Sequence, residues 1–67
     1  MKKIIVSRSS SGWTAAFYSN GTPDKEISSI MGTHILPCPF TAAASADLVI
    51  GTVRARNPEA EVVIGQS

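Results

Sequence analysis

SADLVIGTVRARN, residues 45–57, is the segment that decides the fold, because it has the periodicity of an amphipathic helix. Ser45 suits the N-cap position, where its hydroxyl can accept a hydrogen bond from a free N–H group of the first turn. Asn57 precedes Pro58, and the residue before a proline is pushed out of the helical region, so the helix is expected to end there. Four apolar residues at the spacing i, i+3, i+4 and i+7 form its buried face: Ala46, Val49, Ile50 and Val53.

Two details of this helix stay open. Gly51 lies in its interior, where glycine costs about 1 kcal/mol relative to alanine. We expect it to mark a close approach of the helix to a sheet. Residues 42–44 are all alanine and could extend the helix backward. Thr41 would then be a weaker first residue than Ser45.

Two strands are predicted before the helix. Residues 2–7 contain the run IIV, and a short run of β-branched residues is typical of a strand buried on both faces at the centre of a sheet. Residues 13–19 alternate instead, so that Trp13 points to one side of the sheet and Tyr18 to the other. Residues 9–12, Ser-Ser-Ser-Gly, predict a turn that joins the two strands as an antiparallel hairpin.

The remaining elements are shorter. Residues 19–26 are predicted to be loop, and residues 27–31 have a spacing that allows one helical turn packed on the core, although strand remains an alternative. A third strand is predicted at residues 33–36, with Pro37-Cys38-Pro39 at the edge of the sheet or outside it, because proline cannot donate to a ladder. Residues 60–65 predict a fourth strand, followed by a short tail.

The chain is therefore predicted to be a single α+β domain over residues 1–67, with the order β-β-β-α-β. Three strands form an antiparallel meander, and a right-handed crossover through the helix places the fourth strand beside the first and parallel to it. The predicted sheet order is 3-2-1-4, with one helix on one face.

Composition restricts the function classes. The net charge is +1, which gives no electrostatic reason to expect nucleic-acid binding. Cys38 is the only cysteine and His34 the only histidine, so a closed zinc site of four nitrogen and sulfur ligands cannot form. We expect no metal and no cofactor. The N-terminal apolar run ends too early for a signal peptide, and we expect a cytoplasmic protein without a membrane span.

No residue set predicts catalysis. Pro37 and Pro39, on either side of Cys38, hold the chain extended and keep the thiol apart from the imidazole of His34. The serines of residues 9–11 lack the lysine and the helix of a phosphate-binding loop. The carboxylates have no spacing that demands pairing. We therefore expect that the protein is not an enzyme.

One helix can cover only one face of the sheet, yet the strands carry apolar residues on both faces. An exposed apolar face usually marks a contact surface, and the edge of the fourth strand could pair with another chain. We predict association through this face or edge, as a homo-oligomer or with a small protein partner. The predicted partner-binding residues are Tyr18, Ile5, Val63 and Trp13.

The alternative function is binding of single-stranded nucleic acid. Trp13 with Tyr18 or Phe17 could stack bases on the sheet, as on RRM surfaces. A small basic group on the neighbouring strand would contact phosphates: Lys2, Lys3 and Arg8.

Residues 12–17, Gly-Trp-Thr-Ala-Ala-Phe, resemble the Gly-aromatic-x-Ala-x-aromatic signature on the second strand of HicB-like antitoxin domains. In that family a Ser/Thr-capped helix and a fourth strand follow, as predicted here from Ser45. The resemblance implies a partial RNase H-like fold and an antitoxin-like, non-enzymatic role. The proline-glycine loop of the family is replaced by residues 27–40, and its DNA-binding appendage is absent.

Residues 32–40, Gly-Thr-His-Ile-Leu-Pro-Cys-Pro-Phe, also resemble a segment before the helix in small uncharacterised bacterial or cyanobacterial proteins. No function attaches to this second resemblance. The RNase H-like fold does not imply a nuclease, because the metal-binding carboxylates of such an enzyme are absent from the predicted strands.

Overall fold

The computed structural model describes residues 1–65; the end of the predicted tail, Gln66 and Ser67, lies outside that range. The described residues form a small α+β domain with a mixed five-stranded sheet and two helices. In chain order the elements are β1 Lys2–Ser9, β2 Gly12–Ser19, β3 Thr22–Pro23, α1 Lys25–Met31, β4 Ile35–Cys38, α2 Ala46–Arg56 and β5 Glu61–Ile64.

β1 lies inside the sheet, antiparallel to β2 on one side and parallel to β5 on the other. Both β3 and β4 pair antiparallel with the far edge of β2. Without the two-residue β3, the order β4-β2-β1-β5 is the predicted 3-2-1-4, so the arrangement of the main strands is confirmed. The third main strand begins two residues later than predicted and includes Pro37, which pairs with Thr14.

The core lies between α2 and one face of the sheet. Val49 and Val53 are the buried residues of α2, four residues apart and hence on the same side of the helix. The strand residues they meet lie at alternate positions and share a face. The complete core cluster is Ile4, Val6, Trp13, Ala15, Val49, Val53 and Val62, with Phe40 partly buried against it.

Both predicted ends of α2 are confirmed. The Ser45 hydroxyl accepts a hydrogen bond from the Leu48 N–H at 3.2 Å, so the helix starts after Ser45 and not in the alanines of residues 42–44. Asn57 is the C-cap, and its backbone N–H donates to the carbonyls of Val53 and Arg54. Asn57 also donates from its side-chain amide to the Val53 carbonyl at 3.0 Å.

The segment predicted as loop contains a hairpin. Ser19 pairs with Thr22, and between them Asn20 and Gly21 both have positive φ, 54° and 83°. A two-residue turn with both central φ values positive is the type I′ turn, for which Asn-Gly is the preferred sequence. This turn creates β3 and directs the chain into α1.

Residues 27–31, for which helix and strand were both open, are helical and belong to α1. The Asp24 carboxylate caps its first turn, accepting hydrogen bonds from the N–H groups of Glu26 and Ile27 at 2.9 and 3.1 Å. Gly32 ends the helix in the left-handed region, at φ 79°. None of its residues is fully buried, and its contact with the core is limited to Ile27, which is half-buried beside Ile4 and Phe17. The capping residues at its two ends also hold it in position.

Two glycines differ in whether the structure has room for a Cβ atom at their position. Gly51 is exposed and a Cβ there would meet nothing within 4 Å, so the expected close approach of α2 to the sheet does not occur at this position. Gly12 has φ +136°, and a Cβ would lie 2.8 Å from the carbonyl oxygen of Phe40. Only glycine fits at residue 12 without strain.

Gly51→Ala is expected to raise the free energy of unfolding by about 1 kcal/mol, because alanine loses less backbone entropy in a helix. Gly12→Ala is the contrasting variant and is expected to lower it by about 1–3 kcal/mol through backbone strain. Urea unfolding followed by circular dichroism measures both. A destabilised Gly51→Ala variant would contradict the open space seen around this residue.

Candidate functional site

The face of the sheet opposite α2 is defined by strand register, because directly paired residues point to the same face. Ile5 pairs with Ala16 on one side and with Val63 on the other. Ala16 in turn pairs with Ile35. Four apolar residues therefore form a row across β4, β2, β1 and β5. With the neighbouring residues of the same face they make up what we call the open face: Ile5, Ala16, Tyr18, Ile35, Pro37 and Val63.

Neither helix packs on the centre of the open face. The residues that contact α2 point to the other side of the sheet, and Ile27 of α1 lies beside Ile4 and Phe17, which also point to that side. Ile35 leaves 47% of its surface exposed. The Tyr18 ring is half-buried and meets the His34 ring edge-on, with centroids 5.5 Å apart.

The structure brings three of the four predicted partner-binding residues together. Ile5, Tyr18 and Val63 lie on the open face. Trp13 does not: it points to the α2 side and is only 4% exposed. Grouping Trp13 with the others was wrong, because an indole at this position fills the core.

Trp13 is held by contacts with the neighbouring strand β1 and with the loop before α2. Its indole Nε1 donates to the Ala44 carbonyl at 3.3 Å. The Arg8 guanidinium lies 4.8 Å from the ring centroid and donates to the same carbonyl at 3.0 Å. A cation over an indole face is an attractive arrangement. This cluster joins β1 and β2 to the loop before α2.

The aromatic residues do not form a stacking platform. Trp13 and Phe17 point to the α2 side and Tyr18 to the open face, so no two of these rings share an accessible surface. Arg8, which was expected to contact phosphates, is held over Trp13 instead. This geometry does not favour the nucleic-acid alternative.

The outer edge of β4 offers no backbone donor for a further strand. The Phe17 N–H donates to the His34 carbonyl at 2.8 Å, so alternate residues of β4 face β2, and Ile35 and Pro37 direct their backbone groups outward. The Ile35 N–H donates to the Thr33 hydroxyl at 3.1 Å, and proline has no N–H. Addition of a strand at this edge is disfavoured.

The outer edge of β5 is mostly covered. The Gly65 N–H donates to the Val6 carbonyl at 2.7 Å, which places the backbone groups of Glu61 and Val63 toward β1 and those of Val62 and Ile64 outward. Val62, backbone included, is only 3% exposed. The prediction of an unprotected edge is therefore wrong at Val62, where neighbouring atoms exclude solvent, and only Ile64 remains accessible.

A groove lies on the α2 side of the sheet, between the C-terminal half of α2 and β4. We call it the α2–β4 groove; it has a volume of about 140 Å³. It exists because α2 packs more closely on β5 than on β4. Its lining is mainly apolar, with one cation: Phe17, Leu36, Cys38, Thr52, Val53 and Arg56.

Cys38 lies in this groove as a free, half-buried thiol. Burial removes water from the thiolate and raises the pKa of the Cys38 thiol. A raised pKa leaves less thiolate at neutral pH, and the thiolate is the reactive form. His34 packs on Tyr18, so the two candidate residues of the sequence analysis have different neighbours.

No catalytic or metal-binding arrangement occurs in the part of the chain that the structure describes. Among residues 1–65, no three His, Cys, Asp or Glu side chains are grouped to hold a metal ion. Asp24, the one buried carboxylate there, is used as a helix cap. No described helix is long and apolar enough to span a membrane.

Comparison with known proteins does not identify a family or a function for this chain. No protein-family model matches this chain, and neither a curated protein nor a solved structure matches it.

Cys38 is expected to react with iodoacetamide more slowly in the folded protein than in the urea-unfolded chain at neutral pH. The reason is its raised thiol pKa in the folded state. Mass spectrometry of the alkylated protein measures the rate, and Cys38→Ser provides the unlabelled control. Faster alkylation of the folded protein would show that the thiolate is stabilised instead.

The same shift predicts a pH dependence of stability. A thiol pKa that is higher in the folded state contributes stability that is fully present below the unfolded pKa and is lost as the pH rises through the folded pKa. The free energy of unfolding of the native sequence should therefore fall relative to that of Cys38→Ser as the pH becomes alkaline. Urea unfolding of both proteins over a pH series measures it.

Proposed function

We propose that this domain is a non-enzymatic protein-interaction module that binds another protein through the open face of its sheet. The observation that carries the proposal is the apolar row of Ile5, Ala16, Ile35 and Val63 on the side of the sheet away from α2. A contiguous apolar surface on a soluble domain is typical of a contact site.

The chemistry of the open face favours a protein over other ligands. Its centre is apolar, and its charged residues are one cation and one anion, Lys3 and Glu61, paired in register on neighbouring strands. A nucleic-acid surface would need clustered cations, and an enzyme would need an acid, a base or a nucleophile in a concave site. Tyr18 offers a large contact area with a polar hydroxyl, which suits an interface.

The backbone groups at the two edges of the sheet are mostly occupied or covered, which favours association through the open face. The β4 edge has its donor at Ile35 occupied by Thr33 and has none at Pro37, while the β5 edge is covered at Val62. Main-chain pairing with a partner strand is therefore disfavoured at these positions, which favours side-chain packing on the open face.

A narrower form of the proposal concerns the partner. The resemblance of residues 12–17 to HicB-like antitoxin domains supports an antitoxin-like role, in which the partner is a small basic protein whose activity is neutralised by binding. The compatible strand order supports it as well. Expression of the partner alone tests this form: growth inhibition that the present chain relieves supports it, and a harmless partner counts against it.

Tyr18→Glu is expected to abolish binding of the protein partner without unfolding the domain, because it places a charge in the apolar face. Leu48→Glu is the matched control: Leu48 is 53% exposed and lies on α2, away from the open face. The tagged native chain and both variants are used in parallel to purify the complex, whose mass and stoichiometry are measured by native mass spectrometry.

The control decides the interpretation. Loss of the partner with Tyr18→Glu and retention with Leu48→Glu supports the open face. Retention with both variants, while circular dichroism shows that both are folded, contradicts it. Salt-sensitive binding of an oligonucleotide by the native chain, lost in Tyr18→Glu, would favour the nucleic-acid alternative.

A further inference from the structure

α1 is a helix without a buried side. It has seven residues, none of them buried, and Ile30 and Met31 expose 72% and 56% of their surface. A helix this short is marginal in water by itself, and most helical stability in proteins comes from packing of an apolar side. The caps at Asp24 and Gly32 hold its ends. On its apolar side only Ile27 is half-buried, beside Ile4 and Phe17, and Ile30 and Met31 remain mostly exposed.

The same chain also has a concave apolar surface, which could receive a protruding apolar side chain. The α2–β4 groove is concave and lined mainly by apolar side chains, among them Phe17, Leu36 and Val53. Its volume of about 140 Å³ is of the size of one large aliphatic side chain. Ile30 and Met31 of the same chain do not occupy it, because both are exposed.

The charges at the two surfaces are complementary. Glu26 precedes Ile30 by four residues and so lies on the same side of α1. Arg56 lines the α2–β4 groove. Glu26 and Arg56 are both exposed, so an α1 seated in the groove of another molecule could bring the carboxylate to the guanidinium.

We propose that the chain forms a homodimer in which Ile30 of each copy packs into the α2–β4 groove of the other, with Met31 against its rim. A two-fold axis makes this contact twice and closes the assembly. Glu26 of each copy pairs with Arg56 of its partner at the rim. The contact does not use the open face, so the dimer leaves that face free.

Sedimentation analysis and light scattering of the purified native chain test the proposal. The expected species has twice the 7.0 kDa mass of the chain. Ile30→Asp is expected to raise the dissociation constant by at least about tenfold, as loss of a central apolar contact does. Leu48→Asp is the control, because Leu48 is similarly exposed on the other helix, and it should dimerise like the native chain.

A charge exchange tests the pairing of the two surfaces. Glu26→Arg and Arg56→Glu are each expected to weaken the dimer, and the double variant E26R/R56E is expected to recover it. A mixture of Ile30→Asp with the groove-filling variant Thr52→Trp is expected to form a heterodimer through the one intact contact, although neither protein dimerises alone.

Three results would overturn the proposal. A monomeric native chain at high concentration is one, and a dimer that survives Ile30→Asp is another. The third is a dimer that is lost in Tyr18→Glu but kept in Ile30→Asp, which places self-association on the open face. Circular dichroism of every variant confirms that a loss of dimer does not come from unfolding.

Discussion

The packing of Val49 and Val53 of α2 on Ile4 and Val62 is the contact on which the rest of the structure depends. A parallel neighbour for β1 requires a crossover connection, and α2 is that crossover. The helix therefore has to lie across the sheet at the place where β1 and β5 meet. Because residues 1–65 contain only one helix of this length, one face of the sheet is covered and the open face stays without a layer.

The position of α2 also shapes its own side of the sheet. The helix is closer to β5 than to β4, so the β5 edge is covered at Val62 while a groove remains beside β4. At β4 the chain protects its edge by other means, with a proline and with the Thr33 hydroxyl on the Ile35 N–H. Strand addition is thus disfavoured at β4 and at Val62 of β5 by different physical means.

α1 differs from α2 in having no fully buried residue. α2 is capped at both ends and has a buried side, whereas α1 is capped at both ends by Asp24 and Gly32 but has none. Hydrogen bonds at its ends hold the helix and leave Ile30 and Met31 mostly in solvent. In a chain this small, which buries a modest share of its surface, these residues and the open face together leave a considerable apolar area uncovered.

The sequence by itself determined the elements whose signals are local. Ser45 and Asn57-Pro58 fix the ends of α2 by capping and by steric restriction, and alternation in residues 13–19 fixes β2. The Asn-Gly turn at residues 20–21 and the cap at Asp24 are local signals as well. They indicate a hairpin turn and a helix start within residues 19–26, the segment predicted as loop.

Only the tertiary structure decided the site. The register of β4 on β2 places Ile35 and Pro37 on the open face, and a shift of one residue would have turned them to the other side. Trp13 is buried because Arg8 of the neighbouring strand and the carbonyl of Ala44, which is far away in the sequence, close over it. The groove exists because of where α2 rests on the sheet. Local propensity cannot determine these features, since each depends on contacts between segments that only packing brings together.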